Sequence, residues 1–204
     1  MSSSESKQVV KTTSKKGKIK LININDANDA IKNHMSRHWS EIKMIESICK
    51  EIYKKFVFSG KEHHFQAALE EELRDRNIHI QQEIARTLHY KKTNGDIIQL
   101  PHDIRGREDL LLDKKNMIIE LKQTGKLTDK EFNQICRYMH ERKTYDLEWR
   151  TATRGMLINF GDNDLEVWYL FYNGDKIIRV LVCKENKELL CNLVESYDAS
   201  IVMG

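Results

Sequence analysis

The chain has 204 residues, a formal net charge of +3, 40% hydrophobic residues and 32% charged residues. The length fits one domain with an extension, and the hydrophobic content is too high for a wholly disordered protein. No apolar run in the sequence approaches the roughly 20 residues of a membrane-spanning helix, and the first residues lack the apolar segment of a secretory signal. We therefore expect an intracellular protein, cytoplasmic or nuclear, without membrane contact.

The charge is unevenly distributed along the chain. Residues 1–24 hold six lysines and one glutamate, a net charge of +5, which leaves −2 for the remainder. We interpret residues 1–38 as a flexible basic tail and linker. Such a tail is either a solvated terminus or an arm that binds phosphates, and in the second case the protein would coat nucleic acid as a structural protein.

Three helices are predicted in the first 142 residues. Apolar residues at helical spacing predict a helix from about 40 to 58 and a second from about 61 to 76. Asn77 stands where a residue in the left-handed conformation would end the second helix. Thr128 and Glu131 form a capping box, which predicts a helix to about 142. A fourth helix is predicted near the end of the chain, over residues 184–196.

Strand-like segments lie between these helices. Asn94-Gly95 is a strong hairpin signal, and it separates the first two segments. The predicted strands cover residues 82–91, 97–100, 106–112, 117–122, 156–160, 167–171 and 176–182. The order of the elements predicts an α/β (α+β) fold with a mixed central β-sheet flanked by helices.

Two of the predicted strands, joined by a short loop, carry the most informative residues. If Leu112 pairs with Met117 across that loop, Asp109 lies directly opposite Glu120. Residues alternate between the two faces of a strand, so Lys122 shares a face with both carboxylates while the other face is apolar.

Like charges that face each other across two strands are destabilising, and a cation between them removes the repulsion. Carboxylate oxygens with positions left for water suit Mg²⁺ or Mn²⁺. Lys122 would hold a phosphate or orient a water molecule, so Asp109, Glu120 and Lys122 together indicate phosphodiester hydrolysis. The alternative interpretation is a solvent-facing hairpin whose charges pair diagonally.

Three further residues are candidates on the predicted helices. Glu62 shares a helical stripe with Phe65, so its carboxylate either faces the metal site or closes a capping box that begins at Ser59. Gln134 and Tyr138 are spaced i and i+4 on the helix after the lysine strand. They either point at substrate or belong to the ordinary helix surface and core edge.

These residues occur in an order that resembles the GxxExxY family of the PD-(D/E)XK nuclease superfamily. The segment from Glu62 to Ile78 is similar to the opening helix of that family. The resemblance covers about residues 60–161, and it continues through Asp109-Leu110-Leu111, Ile118 to Lys122, Lys126-Leu127-Thr128, Gln134, Tyr138 and Leu157 to Gly161.

The resemblance implies a restriction-endonuclease-like core with a mixed sheet of about four strands. It implies that Asp109 and Glu120 are metal ligands, that Lys122 is the catalytic lysine, and that Glu62 and Gln134 complete the catalytic set. The backbone carbonyl of Leu121 would join the metal shell. Mg²⁺, or Mn²⁺, would be the ion, and a nucleic acid, DNA rather than RNA, would be the substrate. We expect nucleic-acid contacts from Arg107, Lys126, Tyr138, Arg150 and Arg154.

The chain departs from the family in several places. Ser59 stands where the family has glycine, and Phe65 replaces the family tyrosine. We expect the nuclease-like core over residues 39–164 and a C-terminal strand and helix extension, residues 165–204, that packs on it. This extension, or an insertion over residues 143–154, would contact a protein partner.

Two hypotheses about function follow. The first is a Mg²⁺-dependent deoxyribonuclease. The second is a catalytically silent nuclease-fold module that binds nucleic acid or serves as an accessory subunit of a larger complex.

Overall fold

The computed structural model of the protein describes residues 22–23, 27–56, 60–85, 89–99, 107–112, 116–145, 153–184 and 193–198. In this part of the chain the helices are α1 (Asp29–Phe56), α2 (Glu62–Asp75) and α3 (Asp129–Tyr145). The strands are β1 (Ile22–Asn23), β2 (Ile80–Ala85), β3 (His89–Lys91), β4 (Ile97–Gln99), β5 (Arg107–Leu112), β6 (Met117–Lys122), β7 (Arg154–Phe160), β8 (Leu165–Asn173), β9 (Lys176–Lys184) and β10 (Leu193–Asp198). None of these helices combines the length and the apolar character that crossing a membrane requires.

Eight of the strands form one mixed sheet, in the order β1-β10-β9-β8-β7-β6-β5-β2. Strands β6 and β7 run parallel, because helix α3 carries the chain back between them. The other neighbouring pairs in this sheet are antiparallel, and β3 and β4 form a separate hairpin. The predicted fold class is confirmed, although the sheet has eight strands where the resemblance implied about four.

Helices cover both faces of the sheet. Helices α1 and α2 pack on one face through a large apolar cluster that includes Leu110 and Leu112 of β5. Helix α3 packs on the other face through a second cluster that includes Leu111 of the same strand. Because both faces are buried, the central strands are almost continuously apolar, and the few polar side chains within them need specific partners.

Helix α1 begins at Asp29 rather than near residue 40. The side chain of Asn28 accepts a hydrogen bond of 3.0 Å from a backbone N–H of the first turn and caps the helix. A histidine completes the apolar stripe there, since His34 stacks on Phe171 of β8 with 3.8 Å between the ring centroids. The periodicity of apolar residues therefore missed these turns. Residues 29–38 are helix, and the linker prediction for them is wrong.

The final helix predicted over residues 184–196 is also wrong for residues 193–196, which belong to strand β10. Strand β9 runs to Lys184, and β10 begins at Leu193; the residues between them lie outside the described part of the chain. Strand β10 pairs antiparallel with β9, for example Val194 with Val180. Backbone pairing with a neighbouring strand outweighed the local helix signal. Strands β8 to β10 thus continue the same sheet from β7.

The predictions for Asn77, for Gly95 and for the Thr128–Glu131 capping box are confirmed. Asn77 has a φ of 56° after helix α2, and Gly95 has a φ of 93° in the turn between β3 and β4. The Thr128 hydroxyl and the Glu131 carboxylate lie 2.6 Å apart at the start of helix α3. The Asn77 and Thr128 signals mark the ends of helices α2 and α3, which carry candidate site residues.

Candidate active site

The β5–β6 hairpin has the predicted register. Its ladder pairs residues 110–112 antiparallel with residues 117–119, and Asp109 and Glu120 are the next residues on the two strands. The Asp109 carboxylate accepts a hydrogen bond of 2.7 Å from the N–H of Leu121. Both acids therefore lie at the same end of the hairpin.

Glu120 is fully buried, with 0% of its surface exposed. One carboxylate oxygen, Oε1, accepts hydrogen bonds from Lys122 Nζ at 2.7 Å and from Gln134 Nε2 at 2.6 Å. The other, Oε2, has no hydrogen-bond partner among the described residues. Buried polar atoms are nearly always hydrogen-bonded, and an exception is explained by strain, by a catalytic role, or by a bound water molecule or ion.

Burial and mutual repulsion shift the acid–base properties of these groups. Burial, followed by the charge of Asp109, raises the pKa of Glu120 to about 8. Burial also raises the pKa of Asp109, against the opposing effect of the Leu121 N–H and of Lys122. Burial alone would lower the pKa of Lys122, but the charge and hydrogen bond of Glu120 raise it. The two carboxylates therefore need more nearby positive charge than Lys122 alone supplies.

Glu62 approaches the same place from helix α2. It is exposed, in the first turn of the helix, and its Oε2 accepts a hydrogen bond of 3.2 Å from the N–H of Gln123, just after β6. The Gln123 side chain donates to the Gly60 carbonyl at 2.7 Å, which ties the start of α2 to the end of β6. The N-cap residue is Lys61, so the capping box from Ser59 is wrong. Glu62 shares the helical stripe of the buried Phe65, but it lies at the exposed start of the helix and outside the core.

Helix α3 supplies Gln134 and, behind it, Tyr138. Gln134 Nε2 lies 3.2 Å from the Tyr138 hydroxyl as well as 2.6 Å from Glu120. Tyr138 is only 1% exposed and belongs to the apolar cluster under α3. Its hydroxyl therefore orients Gln134, and its burial argues against the predicted contact with nucleic acid.

A family model for the PD-(D/E)XK nuclease superfamily matches residues 40–168, more than half of the chain. This chain belongs to that superfamily. Searches of curated proteins and of solved structures found no match. Membership supports nuclease activity in general terms, and the matched region contains Glu62, Asp109, Glu120 and Lys122.

Nucleases of this superfamily typically use divalent metals, and the residues present fit such an ion. The buried Oε2 of Glu120, which lacks a partner among the described residues, and the adjacent Asp109 carboxylate offer oxygen ligands and excess negative charge. In the described part of the chain no three His, Cys, Asp or Glu side chains group as a complete metal site. Mg²⁺ needs no such group, since it commonly takes one or two carboxylates and keeps several waters.

The predicted nucleic-acid contacts of this superfamily member differ in accessibility. Arg107 is exposed and lies 3.0 Å from Glu83, and Lys126 is exposed. Arg154 is 6% exposed, and its guanidinium lies 2.6 Å from Glu41 of α1. Burial in an ion pair argues against the predicted role of Arg154. Arg150 lies outside the described residues.

Sequence reasoning missed two polar pairs beside the site. Asn159 of β7 accepts from the Thr124 N–H and donates to the Thr124 carbonyl, both at 2.9 Å, and so holds the loop after β6. Glu108 of β5 and Arg142 of α3 form a buried ion pair. The available signal was a polar residue inside an apolar strand, which needs a partner but does not identify it.

Proposed function

We propose that this protein is a metal-dependent nuclease that hydrolyses nucleic-acid phosphodiester bonds, with DNA as the favoured substrate. The observation that carries the proposal is the buried Oε2 of Glu120, which has no hydrogen-bond partner among the described residues. A second carboxylate, that of Asp109, lies beside Glu120. An excess of buried negative charge is stable when a cation shares it. Superfamily membership supports the same activity. We further propose that the chain belongs to the GxxExxY branch, on the residues that resemble it.

Asp109 and Glu120 would hold Mg²⁺ or Mn²⁺, with help from Glu62 and from the backbone carbonyl of Leu121. The bound ion would stabilise the charge that develops on the phosphate and would lower the pKa of a water molecule. Oxygen ligands of this kind suit these hard cations.

The chain's own residues have distinct tasks in this proposal. Gln134 fixes Glu120 through Oε1 and so leaves Oε2 directed away from the helix α3 contact. Lys122 Nζ is a half-buried cation 2.7 Å from Glu120, placed to donate hydrogen bonds to a substrate phosphate or to the attacking water. Glu62, exposed at the rim, adds negative charge that a second water or ion would share.

The surroundings of the site support a polyanionic substrate. Arg107 and Lys126 are exposed cations on the strand of Asp109 and on the loop after Lys122, and such residues contact phosphates. A protein partner would bind residues 165–204 or the 143–154 insertion. Nucleic acid as substrate fits action inside the cell, in the cytoplasm or the nucleus.

A second candidate function is a catalytically silent module that binds nucleic acid or another protein. It is favoured by one observation: strands β9 and β10 extend the sheet beyond the residues that the family model matches, and this added surface suits a partner. A protein of this kind would bind nucleic acid without cutting it.

Cleavage of labelled single-stranded DNA, double-stranded DNA and RNA, with Mg²⁺ or Mn²⁺ and with a chelator, tests the proposal. We expect cutting of DNA that needs metal and falls by about 10²–10³-fold in Asp109→Asn and in Glu120→Gln. Glu46→Gln is the matched control, because Glu46 is a buried glutamate on α1, paired with lysines of its own helix. Folded wild type that cuts nothing under any condition would contradict the proposal and favour the silent module.

A further inference from the structure

Glu108 of β5 and Arg142 of α3 form a buried ion pair that joins the strand to the helix. Glu108 is 0% exposed and Arg142 is 4% exposed. Arg142 Nε lies 3.0 and 3.1 Å from the two carboxylate oxygens of Glu108, and a terminal guanidinium nitrogen lies 2.6 Å from one of them. This fork geometry is the strongest form of such a pair.

Each partner of the pair is attached to one half of the active site. Glu108 directly precedes Asp109 on β5, and Arg142 follows Gln134 by two turns on α3. Gln134 in turn holds Glu120. The pair therefore links the strand that carries one candidate ligand to the helix that holds the other.

The backbone around Asp109 needs such a link, because the regular strand pairing omits it. Pairing of β2 with β5 passes from Gln82–Leu110 to Ile84–Glu108 and leaves out Asp109 and Glu83. Glu83 has a φ of 42°, which is unusual for a residue with a side chain. Pairing of β5 with β6 covers residues 110–112 and not Asp109. The position of Asp109 therefore depends on side-chain contacts.

One of the side-chain contacts to Asp109 is weak. Gln66 of α2 donates to the backbone carbonyl of Asp109 at 3.3 Å, near the long end of hydrogen-bond distances. The Glu108–Arg142 pair has three shorter contacts and is shielded from water. Desolvation makes such a pair costly unless its geometry is good, so its presence beside an irregular strand points to a positional role.

We propose that Glu108 and Arg142 are positioning residues that hold Asp109 and Gln134 at the separation at which Asp109 and Glu120 bind one divalent cation. The inference rests on the proposed metal-dependent function. Residues that support metal ligands from behind typically change metal affinity by about 10–100-fold when they are substituted.

A purely electrostatic role makes a different prediction. The negative charge of Glu108 would then attract the cation and the positive charge of Arg142 would repel it. Glu108→Gln would weaken metal binding, whereas Arg142→Gln would strengthen it. Positioning requires both variants to weaken it, so the direction of the Arg142→Gln effect separates the two roles.

Isothermal titration of the full chain with Mn²⁺, without nucleic acid, is the test. We expect the Mn²⁺ dissociation constant to rise by about tenfold or more in both Glu108→Gln and Arg142→Gln. The matched control is Glu41→Gln, which breaks another buried arginine–glutamate pair, between α1 and β7. It should lower stability and leave Mn²⁺ affinity unchanged.

The outcomes separate this inference from the function on which it rests. Wild type that binds no Mn²⁺ contradicts the metal-dependent function itself. Wild type that binds Mn²⁺, with Arg142→Gln binding as tightly or more tightly, overturns the positioning role alone. If a single variant fails to fold, the double variant Glu108→Gln with Arg142→Met removes both buried charges. Its Mn²⁺ affinity should still be weakened about tenfold, and wild-type affinity in it would overturn the inference.

Discussion

A buried polar cluster between α1 and the sheet has balanced charges, and we call it the Arg154 cluster. It consists of Arg154, Glu41, His38, His34 and Tyr169. Arg154 Nη1 lies 2.6 Å from Glu41 and 3.0 Å from His38 Nδ1. His34 Nε2 lies 3.0 Å from the Tyr169 hydroxyl. With neutral histidines, one cation meets one anion, which is how proteins normally stabilise buried charge.

The active site has the opposite arrangement. Asp109 and Glu120 bring two buried or half-buried carboxylates to one ammonium group, that of Lys122. The comparison teaches that burial of charge does not by itself mark a functional site. What distinguishes this site is a buried charge that its protein neighbours leave uncompensated.

The largest expected effect on stability comes from breaking the balanced cluster. Glu41→Gln leaves the buried Arg154 guanidinium without its carboxylate partner, and we expect the free energy of unfolding to fall by about 3 kcal/mol. Urea denaturation followed by circular dichroism measures it. Glu51→Gln is the control, because Glu51 is exposed and pairs with exposed Lys54, and such pairs contribute about 0.5 kcal/mol or less. Equal losses in both variants would refute the balance argument.

The unbalanced site should respond in the opposite direction. In chelator at neutral pH, a Glu120 pKa of about 8 means that folding must protonate this carboxyl group, which is ionised in the unfolded chain. Glu120→Gln avoids that cost, and we expect the free energy of unfolding to rise by about 1–2 kcal/mol. Added Mn²⁺ should stabilise wild type but not the variant, by about 2.7 kcal/mol at a hundredfold excess over the dissociation constant. A metal-free variant as destabilised as Glu41→Gln would remove the distinction between the two clusters.

The position of the candidate site could be predicted because the apolar pattern fixes the hairpin register. A slip of one residue would break the pairing of Leu110 with Ile119 and move Asp109 away from its place beside Glu120. The facing of Asp109 and Glu120 follows from that register. The family model matches residues 40–168, the region that contains this hairpin.

The sequence could not identify partners that are distant along the chain. Arg142 lies 34 residues from Glu108, and Arg154 lies 113 residues from Glu41. Both arginines occur in or near a polar stretch, so local composition predicts exposure for them. Only the packing of α1 and α3 on the sheet decides that they are buried. The strand β10 was missed for the same reason, because its pairing partner is a neighbouring strand and not a local contact.

The Arg154 cluster should stabilise the fold at neutral pH and lose part of this stabilisation in acid. Burial, then the charges of His38, Arg154 and Arg37, lower the pKa of His34 to about 4. The unfolded chain binds this proton near pH 6.5, so the stabilisation is full above that pH and is lost as the pH falls toward 4. We expect a loss of about 1 kcal/mol, since His34 is only partly buried. Denaturation midpoints between pH 4 and 7 measure it. His34→Gln should flatten this dependence, and an unchanged slope would contradict the assignment.

The smallest effect concerns how a polyanion approaches a site with excess negative charge. Lys126 is exposed on the loop after β6, where the Thr124 hydroxyl holds its carbonyl at 3.0 Å. Lys126→Ala, in an Asp109→Asn background that prevents cleavage, should weaken DNA binding about threefold and lower the salt slope by about 1. Lys54→Ala, on α1, should change neither quantity. Fluorescence anisotropy with labelled DNA at several salt concentrations measures the affinity and the salt slope of both variants. Equal effects would mean that DNA contacts the protein through its diffuse charge, whereas a specific loss at Lys126 places the phosphates beside the carboxylates that need a cation to tolerate them.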